Sequence, residues 1–290
     1  MAAMKTVSHT TQRNREGMRE RFLCDAARAP AVTCLLVLLA CAVPASAEEI
    51  VTVSGRKGET QSYLLMHQTS TPKAVAVLFS GGEGLLRLRM EGGQVRTDAR
   101  RNFLVRTRAL FRDAEVAVAI ADAPSDQQRA GMDDGFRTGR DHVADIAAVV
   151  KDLRNRFSGA KIFLVGTSRG TLSAAYVGRA LGDAVDGVIL TSTVFHGGNR
   201  GTGLYGFDFA AIKAPVLFVH HAADACRACP YRDAARLGGR FPLITVSGGK
   251  PAESEPCEPL AAHGYFGKEA ETVSAIKGWM LGQPYPRTIE

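Results

Sequence analysis

A serine flanked by glycines follows directly on an apolar run. Residues 162–170 read IFLVGTSRG, so Ser168 stands in a G-x-S-x-G sequence. Glycine on both sides permits a sharp turn from strand to helix, and this turn exposes the serine hydroxyl. With 30 glycines in the chain, the short motif alone could arise by chance, so the apolar run before it and the helical pattern after it are needed as well. Together they predict that Ser168 is a nucleophile.

A serine nucleophile needs a base, and the base needs a carboxylate that holds it in the right tautomer. Where the serine stands in such a strand-to-helix turn, the three residues follow one another along the chain in the order Ser, acid, His. The apolar run APVLFVHH ends at His221, and Asp224 follows at the carboxyl end of this predicted strand. Asp208 precedes the strand and Asp233 falls in a predicted helix. We therefore predict Asp224 as the acid, with capping of the segment that begins near Cys226 as its alternative role.

The base must lie beyond the acid, and His263 is the only histidine there. It belongs to the segment AAHGYFG, between the last predicted strand and the last predicted helix, where Gly264 leaves room for the ring to turn toward the nucleophile. This position predicts His263 as the catalytic base. His220 and His221 precede the acid, and we expect them to face the sheet or flank the site.

Attack on a carbonyl produces an oxyanion, which needs two preorganised N–H donors. One is expected from the backbone of Arg169, the residue after the nucleophile, at a helix N-terminus whose dipole also favours negative charge. The other is expected from the glycine-rich turn 81–84, which follows the apolar run AVAVLFS. We predict Gly82 as this donor, with Glu83 as the alternative. A simple turn between strand and helix would explain the same glycines.

Strand-like apolar runs alternate with longer helical patterns, which is typical of a mostly parallel sheet with helices on both faces. The first two of the eight predicted strands alternate in polarity and are expected to form an antiparallel edge. The predicted strands are 50–54, 62–67, 74–80, 116–121, 161–166, 187–191, 214–220 and 243–246, and the main helices are 141–157, 171–181 and 269–280.

The elbow GTSRG, the loop FSGGEG, the acid segment HHAADAC and the histidine segment CEPLAAHGYFG together resemble the α/β-hydrolase superfamily. In particular, the chain is similar to small exported esterase-like and dienelactone-hydrolase-like serine hydrolases over residues 48–290. The resemblance implies the α/β-hydrolase fold and cleavage of an ester-type bond in a small acyl substrate through an acyl-enzyme, without cofactor or metal. The chain between Thr193 and Ala214 is too short for the large helical lid of lipases, so we expect an open pocket.

Three of the six cysteines, Cys226, Cys229 and Cys257, lie in the predicted hydrolase domain. A bond between Cys226 and Cys257 would join the segments that carry the acid and the base. In the chain-entropy model, closing this loop would stabilise the folded protein by about 3 kcal/mol. We predict this pairing. The pairs Cys226–Cys229 and Cys229–Cys257 remain alternatives.

Residues 1–47 are expected to be a signal peptide, and residues 48–290 one hydrolase domain. Arginines precede the short apolar run 31–43, and the small residues Ala-Ser-Ala follow at 45–47, as in a secretory signal cleaved before Glu48. The run is short of the roughly 20 residues of a membrane span, so no span is expected after cleavage. The protein is expected in the periplasm or the medium. The alternatives are a retained anchor and a lipoprotein modified at Cys41.

The charge pattern argues against nucleic acid as a partner. The formal net charge is +7 at pH 7, but the chain has no long run of like charges and no arginine cluster with interleaved aromatics. The sequence leaves the oligomeric state open.

Two other function classes are a hydrolase-like protein that only binds a ligand and a zinc-dependent hydrolase. The zinc ligands would come from His220, His221, Cys226, Cys229 and Cys257.

Overall fold

The computed structural model of the protein describes residues 48–56, 58–197 and 201–290. The expected signal segment 1–47, including Cys41, lies outside the described residues. Among the residues that are described, no helix combines the length and the apolar character needed to cross a membrane.

The described chain has eleven strands, eight of which follow the predicted apolar runs. They are β1 (Glu48–Ser54), β2 (Thr60–Met66), β3 (Ala74–Phe79), β4 (Arg89–Glu91), β5 (Gln94–Arg96), β6 (Val116–Ala121), β7 (Lys161–Thr167), β8 (Gly187–Thr191), β9 (Val216–His221), β10 (Leu243–Val246) and β11 (Thr288–Ile289). Every residue of β3, β6, β8 and β9 is buried. Strands that are covered on both faces read as continuous apolar runs for this reason.

Nine strands form one sheet in the order β1-β2-β6-β3-β7-β8-β9-β10-β11. β1 pairs antiparallel with β2, and β2 with β6, whereas the other neighbours run parallel. The prediction of a mostly parallel sheet with an antiparallel pair at one edge is confirmed.

The main sheet has one strand more than the sequence predicts. The additional strand of the sheet, β11, lies parallel to β10 and has only two residues. The separate hairpin β4–β5 is also absent from the prediction, and its strands have three residues each. Such short strands carry too few residues to show a polarity pattern, which needs at least four.

Helices cover both faces of the sheet, as predicted. They are α1 (Phe103–Arg106), α2 (Arg108–Phe111), α3 (Asp134–Thr138), α4 (Arg140–Arg156), α5 (Gly170–Leu181), α6 (Tyr231–Leu237) and α7 (Glu269–Leu281). Ile146 of α4 and Leu172 of α5 belong to one apolar core cluster, whereas Phe103 of α1 and Ile276 of α7 belong to a second. Successive residues of β3 alternate between the two clusters, because neighbouring strand side chains point to opposite faces.

The connection between β8 and β9 is short and mostly irregular. In its described parts, residues 192–197 and 201–215, the regular structure is a 3₁₀ turn at Phe209–Ala211. No α-helix that could form a lid lies within those described parts. The carboxyl ends of the parallel strands are therefore the edge at which an accessible site can form.

Candidate active site

Ser168 lies in a tight turn between β7 and α5. Its φ of 52° is in the left-handed region, which costs an L-residue roughly 1–2 kcal/mol, and its backbone N–H donates to the Thr191 carbonyl. A Cβ on Gly166 would stand 2.3 Å from the Gly170 carbonyl oxygen, and a Cβ on Gly170 would stand 2.1 Å from the Phe79 carbonyl oxygen. Both glycines are therefore required for the close backbone approach that presents the serine.

The predicted base and acid are in direct contact. His263 lies in a 3₁₀ turn at Ala262–Gly264, and its Nδ1 donates to Asp224 Oδ2 at 2.9 Å. The two side chains are 5% and 0% exposed. Asp224 Oδ1 accepts from the Cys226 backbone N–H at 2.9 Å, so the carboxylate also caps the next segment. The two roles considered for Asp224 are compatible, because Oδ2 contacts the histidine while Oδ1 makes the capping bond.

His263 and Ser168 both line one cavity of about 550 Å³. His263 Nε2 is buried and has no hydrogen-bond partner among the described residues. The structure contains no hydrogen bond between Ser168 and His263. In structures without substrate such catalytic contacts are often long and shorten only when substrate binds. The histidine is thus oriented by its acid and has a free nitrogen for proton transfer.

A buried hydrogen-bond network holds the backbone of the histidine segment. Ser192 Oγ donates to the His263 carbonyl at 2.7 Å. Tyr265 Oη donates to the Val219 carbonyl at 2.6 Å and accepts from the Ser192 N–H at 3.0 Å. Burial raises the pKa of Tyr265, so the phenol stays a donor at neutral pH. Sequence reasoning missed Ser192 and Tyr265, although Tyr265 stands in the segment quoted for the base.

Gly264 has a different role from the one predicted. The sequence suggested that it leaves room for the histidine ring. In the structure, a Cβ at Gly264 would stand 1.9 Å from the Pro259 carbonyl oxygen. The glycine therefore permits a close approach between two parts of the same loop.

The predicted oxyanion donors lie beside the nucleophile. Gly82 has a φ of +59°, and a Cβ on the preceding Gly81 would stand 3.0 Å from Ser168 Cβ. Gly82 and Arg169 both line the cavity. Their backbone N–H groups have no hydrogen-bond partner among the described residues. Two free donors next to a serine can bind a carbonyl oxygen that becomes negative.

Two arginines hold the carbonyl side of this glycine loop. The Gly82 carbonyl accepts from Arg137 Nη2 and from Arg169 Nη1, each at 3.2 Å. Arg137 also donates to the Ser80 carbonyl and to Ser173 Oγ. It is fully buried and has no carboxylate partner in the part of the chain that the structure describes, and burial lowers its pKa to about 9. Sequence reasoning missed Arg137, because an arginine in a short helix gives no sign that it is buried.

The cysteines lie at the acid and base segments. In the structure Cys226 and Cys257 form a disulfide with Cα atoms 4.6 Å apart, and Cys229 is a free, buried thiol. Both half-cystines line the cavity.

The residues of the zinc alternative are not gathered at one point. Cys226, Cys229 and His263 place ligand atoms within 4.8 Å of one another, but the Cys226 sulfur is bonded to Cys257 and offers no thiolate. His220 Nε2 instead accepts from the Thr193 N–H. These side chains therefore do not provide the set of zinc ligands that the alternative requires.

The comparisons with known proteins concern the fold and one stretch of the chain. The family model described as serine aminopeptidase, S33, matches residues 109–207, a stretch that contains Ser168 but ends before Asp224 and His263. Among curated proteins, no sequence matches this chain significantly.

Solved structures with the same architecture include several hydrolases. Est1E from Butyrivibrio proteoclasticus is 17% identical, with a TM-score of 0.56 over 81% of this chain and 98% of its own. An α/β serine hydrolase without lid from Xanthomonas campestris is 16% identical, with a TM-score of 0.51 over 78% of this chain and 94% of its own. Oligopeptidase B from Leishmania major is 12% identical, with a TM-score of 0.52 over 81% of this chain and 37% of its own. The chain therefore has the fold of the α/β hydrolases, and residues 109–207 match a serine-hydrolase family model.

Proposed function

We propose that this protein is an exported serine hydrolase that cleaves an ester-type acyl bond with Ser168, His263 and Asp224 as its catalytic triad. The observation that carries the proposal is the contact between His263 Nδ1 and Asp224 Oδ2, which leaves His263 Nε2 without a hydrogen-bond partner among the described residues. His263 and Ser168 line the same cavity. A carboxylate bonded to Nδ1 keeps the proton there and makes Nε2 the basic nitrogen.

The proposed reaction has two halves. Ser168 Oγ attacks the substrate carbonyl while His263 Nε2 takes its proton, and the N–H groups of Gly82 and Arg169 bind the oxyanion. The tetrahedral intermediate collapses, and His263 returns the proton to the departing alkoxide to leave an acyl-enzyme on Ser168. Water then attacks the acyl carbon with His263 as base, which releases the acid and restores the serine hydroxyl.

The cavity supports a small substrate without a strong preference for charge. The arginine next to the nucleophile, Arg169, is paired with Asp134 at 2.8 Å, and Asp98 at the cavity wall is paired with Arg89 at 2.7 Å. These two pairs are already compensated, and Arg101, Glu83 and Glu258, which also line the cavity, bring charges of both signs. We expect p-nitrophenyl esters of short acids to be the best initial substrates.

A peptidase activity is the second candidate, because the matching family model is described as serine aminopeptidase. Matched p-nitrophenyl esters and p-nitroanilides of the same acyl group separate the two. A ferulate ester belongs in the same panel, since Est1E was solved with ferulic acid bound. Faster turnover of the anilide than of the ester would favour the peptidase.

Labelling by a fluorophosphonate tests the proposal directly, because this reagent reacts only with an activated serine. We expect one phosphonylated peptide, containing Ser168, in the wild-type protein and none in Ser168→Ala. A protein that neither takes the label nor hydrolyses esters would instead be a hydrolase-like binding protein.

Export is proposed from the N-terminal sequence. The intact mass of protein recovered from periplasm or medium is expected to begin at Glu48. A cytoplasmic product that retains residues 1–47 would contradict export, and a diacylglyceryl mass on Cys41 would support the lipoprotein route.

A further inference from the structure

Asn102 lies at the cavity with one end of its side chain occupied and the other end free. Its Oδ1 accepts from the Leu104 backbone N–H at 3.1 Å, which caps α1. Because an N–H group needs an oxygen as its acceptor, this bond assigns the two ends of the amide. Nδ2 then carries two N–H donors, and it has no hydrogen-bond partner among the described residues.

The free amide lies beside the nucleophile. The position that a Cβ on Gly81 would take is 3.0 Å from Ser168 Cβ and 3.4 Å from Asn102 Nδ2. Asn102 and Ser168 therefore border the same small space next to the loop that supplies Gly82. Both side chains line the cavity.

The segment that carries Asn102 is anchored to the histidine segment. Arg106 of α1 donates to the Gly264 carbonyl at 2.6 Å, and the Phe103 ring packs on the Tyr265 ring with centroids 4.7 Å apart. The Asn102 N–H also donates to the Ala99 carbonyl. These contacts hold the amide in place before substrate arrives, which is the condition for a donor to stabilise a transition state.

Capping alone does not require an asparagine. Aspartate and serine cap helices about as well as asparagine, but among these residues only asparagine combines a capping oxygen with a pair of amide N–H donors. The donors are the part of Asn102 that the fold does not use.

We propose that Asn102 is a catalytic residue whose Nδ2–H donates to the substrate oxygen that becomes the oxyanion, as a third donor beside the N–H groups of Gly82 and Arg169. This inference rests on the proposed serine-hydrolase function. Asn102 would add a side-chain donor to an oxyanion hole that is otherwise built from backbone N–H groups. Such a donor stabilises the transition state and contributes little to binding of the substrate in its ground state.

The test compares Asn102→Ser and Asn102→Asp, which keep a capping oxygen, with Asn102→Ala, which does not. Turnover of the best p-nitrophenyl ester is measured together with thermal unfolding. Removal of one oxyanion donor lowers kcat by about 10²-fold, so we expect this loss in Asn102→Ser with KM little changed. Asn102→Asp should lose more, because its carboxylate faces the developing charge. Affinity for a trifluoromethyl ketone, which forms a tetrahedral serine adduct, should fall in parallel with kcat/KM.

Asp208→Ala is the matched control, because Asp208 caps a turn through the Ala210 N–H away from the cavity. We expect it to lower thermal stability and leave kcat unchanged. If Asn102→Ser and Asn102→Asp fold and keep wild-type kcat while wild type is labelled at Ser168, Asn102 is only a cap and this inference is wrong. A wild-type protein without turnover or labelling overturns the proposed function itself.

Discussion

Ser168 stands directly at the end of a buried strand, where close backbone contacts set its position, whereas His263 stands on a long connection that side-chain contacts hold. The serine turn depends on the close approach of Gly166 and Gly170 to neighbouring carbonyls. The histidine depends on bonds to Asp224 and on hydrogen bonds from residues distant in sequence. The first region is shaped by close packing of its backbone against the neighbouring strands, and the second by side-chain hydrogen bonds.

This difference implies different sensitivities to mutation. The serine turn has no spare volume, so adding a single methyl group at a glycine is costly. The Thr171 and Thr191 hydroxyls also donate to the Ser168 and Gly166 carbonyls. The histidine segment has several partial supports, among them Tyr265, Arg106 and the Cys226–Cys257 disulfide. Loss of one support should weaken its position without abolishing it.

Removal of a triad residue should have the largest effect in either region. We expect Ser168→Ala and His263→Ala each to lower kcat by on the order of 10⁴-fold or more, with the double variant hardly worse, because triad residues act as a unit. Asp224→Asn should lose about 10³- to 10⁴-fold, since an amide holds the wrong imidazole tautomer. Ester turnover at matched circular dichroism measures these losses. Wild-type turnover in Ser168→Ala would show that another group is the nucleophile.

The steric character of the serine turn is tested by Gly170→Ala. The new Cβ would overlap the Phe79 carbonyl oxygen, so we expect the free energy of unfolding to fall by about 3 kcal/mol or more. Gly239→Ala is the control, because a Cβ there meets nothing within 4 Å and its φ is not positive. Urea unfolding measures both. Equal effects in the two variants would mean that close packing does not shape the turn.

The disulfide tests how the histidine segment is held. Opening the loop between Cys226 and Cys257, which are 31 residues apart, should lower the free energy of unfolding by about 3 kcal/mol. We expect Cys257→Ser to show this loss and to reduce kcat, because the segment before His263 is released. Peptide mapping without reductant should find Cys226 joined to Cys257 and Cys229 free. A Cys226–Cys229 peptide would refute the pairing and leave the triad proposal intact.

The smallest expected effect comes from one hydroxyl in the buried network. Tyr265→Phe removes the donor to the Val219 carbonyl and the acceptor of the Ser192 N–H, which leaves buried polar groups unpaired at a cost of about 1–3 kcal/mol. We expect a modest fall in kcat as well, because Ser192 also bonds the His263 carbonyl. Tyr205→Phe is the control, since Tyr205 is 69% exposed. A kcat unchanged in Tyr265→Phe would mean that this network supports stability alone.

The sheet could be predicted from the sequence because its signals are local. Apolar runs long enough to form buried strands indicate β3, β6, β7, β8 and β9, and three helical patterns end within a residue or so of α4, α5 and α7. The two residues of β11 and the hairpin β4–β5 could not be predicted, because such short strands form only where a neighbour offers hydrogen bonds. Their existence depends on tertiary structure.

The candidate site divides in the same way. The amino-acid sequence by itself determined the glycine-flanked serine, the chain order of Ser168, Asp224 and His263, and the positions of the loops at strand ends, because residue type and spacing specify these. Only the tertiary structure placed His263 on Asp224, buried Arg137 beneath the glycine loop and brought Asn102 beside the nucleophile. These contacts join residues far apart in the chain. They form because the parallel sheet brings the carboxyl ends of its strands to one edge, and no local pattern carries that information.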